Sequence, residues 1–454
     1  MSMSVNAAAR LERLPFSRWH WGLLVLVIIT WLTEAIDIGL TGATIPSLKT
    51  QFGLTPPQIG LIATATTIGI VLALLVAGPS MDRYGKRKVL ITGMLIFGLA
   101  TVAVAGAPSF PAVVTLRFLA GLGLGLVFTI PYQMVAEFVP AGVRGLSIGG
   151  INAVLNLGYF ANLLVAAAII PAFGWRPMYL FGGISLIALI FVWRFLPESP
   201  RWLEVKGRHE EADALLERIE QSVAREHGGT LPPVKSGLVV IESPGRVPIR
   251  EMFQGRFLWR TIWLWAVAAC LWSTFYLFQI YLPVMLKSEG YTLAGALFTA
   301  AIVNAAPLPT HLIGAWLLDA KGRKVTISSY AALALVGVLV FAFSHTYVSA
   351  LIGACMALGF MAAAFSFSKL VAAEQYPTRL RGTGTAAFEA VGRGMAGVVV
   401  PLYIPGILAT NGVVGANMLV LGLGIVGLVL YVAFAKETRG IELERLDPAL
   451  AGRL

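Results

Sequence analysis

Glu34, Asp37, Arg117, Glu389 and Arg393 each interrupt a run of apolar residues. Ionisable side chains in such runs are costly, so they usually face a protein interior or a water-filled path. Glu34 and Asp37 stand among Thr30, Thr41 and Thr44 at steps of 4, 3, 4 and 3, which makes one polar stripe along a helix. At ~1.5 Å per residue, Asp37 lies about 24 Å above Trp21, which leaves it roughly 10 Å from the far side of a bilayer. Arg117, seven residues into the run that begins at Phe110, lies at about the same depth when that run descends from the far side. An acid at this depth has two uses. Permanently paired with arginine, it is a structural bridge. Alternating between an arginine-paired ionised form and a solvated protonated form, it carries a proton.

Glu389 and Arg393 are four apart with the acid first, the favourable order for a helical ion pair. They either neutralise each other or leave Arg393 to take an anion, for which its planar donor fork suits a carboxylate. Asn152 and Asn156 lie 237 residues earlier, so both positions of each pair are polar, as expected for walls of a shared cavity. Trp265, Trp272, Tyr276 and Gln279 follow at steps of 7, 4 and 3, either a packing stripe or a stacking wall that ends in an amide. Asn304, Pro307 and His311 share a helix face, and His311 is either a proton relay or a hydrogen-bonded buried histidine. Lys369, near the end of its run, is expected to snorkel or to pair with Glu374.

These residues need long apolar helices to hold them. The chain has 454 residues, 57% hydrophobic and 13% charged, and such a composition requires lipid around it. Spans are expected near 21–45, 58–80, 89–107, 110–135, 147–170, 177–196, 258–286, 292–318, 326–344, 347–370, 384–408 and 412–435. The net charge of +11 reflects topology and not a nucleic-acid partner. In the loops after odd-numbered spans only Lys49, Arg176 and Lys287 are basic, Arg117 and Arg393 lie within spans, and the other lysines and arginines belong to the tails, the opposite loops or their borders. That bias puts both termini in the cytoplasm. Residues 1–20 lack a cleavable apolar signal, so the first span is expected to stay. Cys270 and Cys355 both fall inside spans, so no disulfide framework is expected. Within the long connection after span six, 200–219 reads as short amphipathic helices and 228–250 as a linker. Gly121, Gly123, Gly125, Gly145 and Gly149 offer surfaces for close helix packing.

The two halves repeat. Asp82-Arg83-Tyr84-Gly85-Lys86-Arg87-Lys88 returns 237 residues on as Asp319-Ala320-Lys321-Gly322-Arg323-Lys324. Glu137 and Arg144 likewise return as Glu374 and Arg381. In each turn the aspartate can cap a helix start, the glycine permits a reversal and the basic residues stay in water. The Glu137/Arg144 and Glu374/Arg381 pairs can add ion pairs, and the two sets together read as a conformational latch. Parallel halves of six spans suggest a transporter with its site between them.

Three sequence stretches carry a resemblance to the major facilitator superfamily over essentially the whole chain: Gly78-x-x-x-Asp82-Arg83-x-Gly85-Lys86-Arg87, Arg117-x-x-x-Gly121-x-Gly123-x-Gly125, and Pro197-Glu198-Ser199-Pro200-Arg201-Trp202 with Glu437-Thr438-Arg439-Gly440. Leu11-Glu12-Arg13-Leu14-Pro15, followed by Glu34-Ala35-Ile36-Asp37-Ile38-Gly39, is similar to the bacterial nicotinate permeases and their synaptic-vesicle-glycoprotein-like relatives, which usually have Asp where this chain has Glu34. Aromatic-acid/proton symporters have a similar acidic pair. The paired glutamines of sugar porters are missing from span seven, and the Gly-Pro-Gly-Gly element of drug antiporters is missing from span five. The resemblance implies an all-α protein of twelve spans in two six-helix bundles, 1–197 and 257–454, joined by a cytoplasmic linker at 198–256. It implies a proton-coupled importer of a small organic acid, with nicotinate favoured, acting in a bacterial inner membrane as a monomer and without a cofactor. The acid–Arg pair Asp37–Arg117 belongs to that expectation. Another carboxylate or a sugar-like metabolite as substrate, and a receptor that keeps the fold without transport, stay open. Neither a nucleotide-binding loop, a metal-spaced cluster nor a nucleophile elbow is present, which points away from an enzyme and toward an ion gradient as driving force.

Overall fold

The structure is a computed structural model that describes residues 7–234, 249–376 and 378–437. The side chains of Arg144, Asn152, Asp319, Glu374 and Arg381 lie outside the described residues. Every described element is helical: α1 (Ala7–Glu12), α2 (Arg18–Phe52), α3 (Pro56–Tyr84), α4 (Lys86–Val104), α5 (Phe110–Val127), α6 (Ile130–Phe138), α7 (Ala141–Phe173), α8 (Arg176–Gly182), α9 (Ile184–Phe195), α10 (Pro200–Val205) and α11 (His209–Glu226). A 3₁₀ turn at Ile249–Phe253 then leads to α12 (Gly255–Ser288), α13 (Leu293–Ala305), α14 (Pro307–Lys321), α15 (Arg323–Ala342), α16 (Tyr347–Gln375), α17 (Thr378–Gly394) and α18 (Val400–Phe434). A π-helical segment, Met395–Val399, joins the last two.

Among the described residues 11 continuous runs are long and apolar enough to cross a bilayer. The last, Ala387–Phe434, has 48 residues, enough for two spans, and it turns at Gly412, whose φ of 66° breaks the helix. The protein is therefore an all-helical, multi-pass membrane protein whose fourth, sixth and eighth spans are each made of two short helices. Two of these breaks fall at proline, Pro131 opening the second piece of span four and Pro307 that of span eight, whereas span six breaks at Gly183. Leu75, Phe173 and Leu312 are about 70% exposed, a cost in water that hydrocarbon removes.

The first six spans pack mainly on one another, α5 between α3 and α4 and α2 along α7. The last six repeat the arrangement, with α15 on α16 and α12 on α18. The main contacts between the sets are α13 on α7, α18 on α3, and α12 on α2. The first two exchange under the 237-residue repeat, and the third joins a span to its own repeat. The two sets meet closely at the end away from the basic turns. There a Cβ on Gly42 would stand 2.8 Å from the Ile280 carbonyl oxygen, so only glycine lets α2 and α12 meet.

The amphipathic segment after span six forms α10 and α11, and α11 buries Ala212, Leu216, Ile219 and Val223. It is held by α1. Arg10 bonds Glu220 at 2.7 Å and Asp213 at 3.0 Å, and Arg13 bonds Glu220 at 2.7 Å. Burial works against the Glu220 carboxylate, but the bonds from Arg10 and Arg13 outweigh it and hold the group below its ordinary range.

Candidate functional site

The polar stripe of α2 is wholly internal: Thr30, Glu34, Asp37, Thr41 and Thr44 are all buried. Asp37 and Arg117 meet in a closed network. Arg117 donates to both carboxylate oxygens, at 3.2 and 3.0 Å, and through Nε to the Thr66 hydroxyl at 3.2 Å. The Thr101 hydroxyl donates to the Asp37 carboxylate, and the Tyr179 ring lies 6.0 Å from the Arg117 guanidinium. Neither member of the pair has measurable contact with solvent.

A cavity opens on the basic-turn side of this pair, between the two sets of six spans. Its walls include Trp31, Phe128, Tyr132, Asn156 and Tyr159 from the first set. The second set contributes Trp272, Tyr276, Gln279, His311, Lys369 and Arg393. Arg393 lies over the face of Phe128, 3.6 Å from its centroid, and 4.9 Å from the Trp272 ring, so its charge is caged by aromatic faces. Phe128 belongs to the first set and Arg393 to the second, which makes this contact a bridge across the cavity. The Trp272 and Phe365 rings meet edge to face with centroids 3.9 Å apart.

The cluster around Arg393 differs from the sequence expectation in one respect. Glu389 approaches Arg393 at 3.6 Å, but its shorter bond, 2.9 Å, is to Lys369. Lys369 does not snorkel. It points inward, 4.6 Å from the Phe365 ring, because Glu389 of the neighbouring helix draws it there. Two cations thus share one carboxylate, and the Arg393 Nε has no partner. Glu34 is fully buried, neither of its oxygens has a hydrogen-bond partner, and Arg393 is within electrostatic reach.

His311 is hydrogen-bonded at both ring nitrogens, to the Pro307 carbonyl at 2.7 Å and to the Ser366 hydroxyl at 3.0 Å, and it still edges the cavity. Asn304 does not. Its amide donates to the Ala300 carbonyl one turn back at 2.9 Å, which turns the side chain into its own helix. Trp265 packs on Phe253 instead of the cavity. Tyr132, Tyr159, Phe128, Phe365 and Lys369 were not legible as site residues, since an aromatic in an apolar run carries no mark of which face it serves.

The basic turns are built differently from the expectation as well. Asp82 falls within the last turn of α3, so its carboxylate belongs to the wrong helix to cap α4. Glu198 does that work, accepting from the Arg87 backbone N–H at 3.2 Å. In the repeat Glu437 accepts from the Arg323 and Lys324 N–H groups, both at 2.9 Å. Gly85 and Gly322, at φ 91° and 95°, turn the chain into these caps. The Trp202 indole donates to the Asp82 carbonyl at 3.0 Å, and Lys86 pairs with Glu137. Arg83 lies over the Tyr84 ring, and Arg87 donates to the Trp193 carbonyl.

Residues 24–401 match the Major Facilitator Superfamily, and the chain belongs to that family: it is a secondary transporter of small molecules and not an enzyme. Among its relatives, the niacin transporter NiaP of Acinetobacter baylyi is 30% identical over 97% of this chain and 100% of its own length. The 4-hydroxybenzoate transporter PcaK of the same organism is 29% identical over 90% of this chain and 89% of its own. The inner membrane metabolite transport protein YdjE of Escherichia coli is 28% identical over 97% and 98%. In fold, the chain superposes on the xylose transporter XylE from E. coli with a TM-score of 0.74 at 18% identity, covering 94% of this chain and 100% of that one.

Proposed function

We propose that this protein imports a small aromatic monocarboxylate, nicotinate in the first instance, together with protons, by alternating access across a bacterial inner membrane with both termini in the cytoplasm. The observation that carries this is Arg393. A guanidinium held between aromatic faces in a central cavity, with Lys369 beside it and one carboxylate between the two cations, offers a net positive, flat-walled site. A planar acid satisfies both features, stacking on the Trp272/Tyr276 wall while its carboxylate meets Arg393. Asn156 and Gln279 line the same cavity and can orient the ring. The names of NiaP and PcaK point to the same chemical class. Glu34 and Asp37 are the acids available to couple that binding to protons, and the network of basic turns is the latch that holds one conformation.

A panel of acids in a thermal-unfolding assay tests the substrate class. A ligand at 100 times its dissociation constant stabilises by about 2.7 kcal/mol. Nicotinate and benzoate should raise the unfolding temperature and nicotinamide should not. Stabilisation by nicotinamide equal to that by nicotinate would contradict the carboxylate anchor. A para-hydroxylated acid is the second candidate, because the His311–Ser366 pair at the cavity wall can receive a hydroxyl.

A further inference from the structure

We propose that Glu34 and the substrate carboxylate compete for Arg393, so that the anion binds only to the form of the protein in which Glu34 carries a proton. The inference rests on the function proposed above and names the group that ties the proton to the anion.

Glu34 and Asp37 are one turn apart on α2, but only Asp37 has its oxygens engaged. Glu34 has none engaged and no exposure to water. Trp31 and Ile38, one turn to either side, both line the cavity, so Glu34 stands directly behind its wall. The ionisable groups that face it are Arg393 and Glu389 of α17, Lys369 of α16, Tyr276 of α12, Tyr159 of α7 and Asp37 of its own helix. Asp37 is occupied by Arg117, and Lys369 is bonded to Glu389 at 2.9 Å. Arg393 is hydrogen-bonded to Tyr276 and approached by Glu389 at 3.6 Å, but its Nε is unpartnered, so it is the cation with capacity left.

The charge count then sets a rule. Lys369, Arg393 and Glu389 sum to one positive charge. An ionised Glu34 cancels it, and an incoming anion would meet a neutral site. When Glu34 takes a proton from water, the positive charge is released and one monoanion fits. When the anion leaves, Arg393 regains Glu34 and the proton returns to water. One proton accompanies each monoanion and the loaded carrier bears the same charge as the empty one, so the cycle moves no net charge. The sign follows from linkage: affinity is fully present below the Glu34 transition and falls by up to tenfold per pH unit above it.

The test measures binding of nicotinate, and of benzoate as a probe without a ring nitrogen, from pH 5.5 to 8.5 in detergent. Calorimetry in buffers of different ionisation enthalpy counts the protons. Wild type should lose affinity toward tenfold per pH unit in the upper range and take up one proton per anion. Glu34→Gln should bind with an affinity that does not change with pH and take up none, while Glu34→Asp should keep the slope. A Glu34→Gln protein that keeps the wild-type slope and proton uptake overturns the proposal. Infrared spectra of the free protein supply a second readout that needs no ligand. A carboxylic-acid band should titrate in wild type, vanish in Glu34→Gln and shift its midpoint in Arg393→Gln. Absence of such a band overturns the proposal even if Glu34→Gln fails to fold. Failure of both probes to bind wild type, with that band present, instead contradicts the substrate class and leaves the Glu34–Arg393 exchange standing.

Discussion

One turn apart on α2, two ionic arrangements are built on opposite terms. Asp37 lies in a network in which both carboxylate oxygens accept hydrogen bonds and Arg117 is held by Asp37 and Thr66. Glu34 has a carboxyl without partners beside a cluster of two cations and one acid. Both are buried, so burial alone does not separate them; completeness does. A satisfied buried network has no capacity left for a ligand and resists change. An incomplete one at a cavity wall has unused hydrogen-bonding and Coulombic capacity that a charged substrate can complete. Within one helix, the closed pair is the better candidate for a lock and the open cluster for a binding site.

The sharpest way to break this contrast is to remove one partner of the closed pair. Arg117→Gln leaves the Asp37 carboxylate buried and unpaired, and should cost about 3–5 kcal/mol of stability. Thermal unfolding in detergent measures it, and Asp37→Asn combined with Arg117→Gln should recover most of the loss. An unchanged unfolding temperature in the single variant would show that the pair is no lock. The open cluster should respond in ligand affinity instead. Arg393→Gln removes charge-assisted bonds of about 1.5–3 kcal/mol, so nicotinate binding should weaken about 10- to 100-fold. Adding Glu389→Gln should not restore it. Wild-type affinity in that double variant would mean that Arg393 serves only Glu389.

Two smaller effects sharpen the comparison. Phe128→Leu takes away one face of the cation cage, worth about 0.5–2 kcal/mol, and should weaken nicotinate binding severalfold while leaving the Asp37–Arg117 pair untouched. An equal effect on binding of the neutral nicotinamide would assign Phe128 to packing. At the water-facing extreme, Glu220 ties α1 to α11. Its carboxyl is held below the ordinary value, so the stability it contributes is present above pH ~4.5 and is lost as pH falls through the folded value. Glu220→Gln should cost about 1 kcal/mol or less at pH 7 and speed amide exchange in α1 and α11. Equal exchange in both proteins at pH 7 would show that the clasp adds nothing.

The spans were legible because apolar runs of this length have one physical solution in lipid. Asp37 and Arg117 were legible as neighbours because the rise of a helix converts sequence position into depth. The Lys369–Glu389 bond was not legible because the two residues lie 20 apart on different helices. The turn of the Asn304 amide back to Ala300 was not legible, since helix periodicity gives the face of a residue and not the direction of its amide. The caps from Glu198 and Glu437 arise from chain segments more than 100 residues from the turns they close, so the aspartates within the turns drew the eye first.

The central claim is that an aromatic monocarboxylate moves with a proton. Its most direct test is radiolabelled nicotinate uptake into proteoliposomes of the purified protein, with the lumen alkaline and the medium acidic. Nicotinate should accumulate to about tenfold above the medium for each pH unit imposed, beyond the level in protein-free vesicles, and collapse of the gradient by a protonophore should return it to equilibrium. Uptake that stops at the medium concentration whatever gradient is imposed would contradict the account.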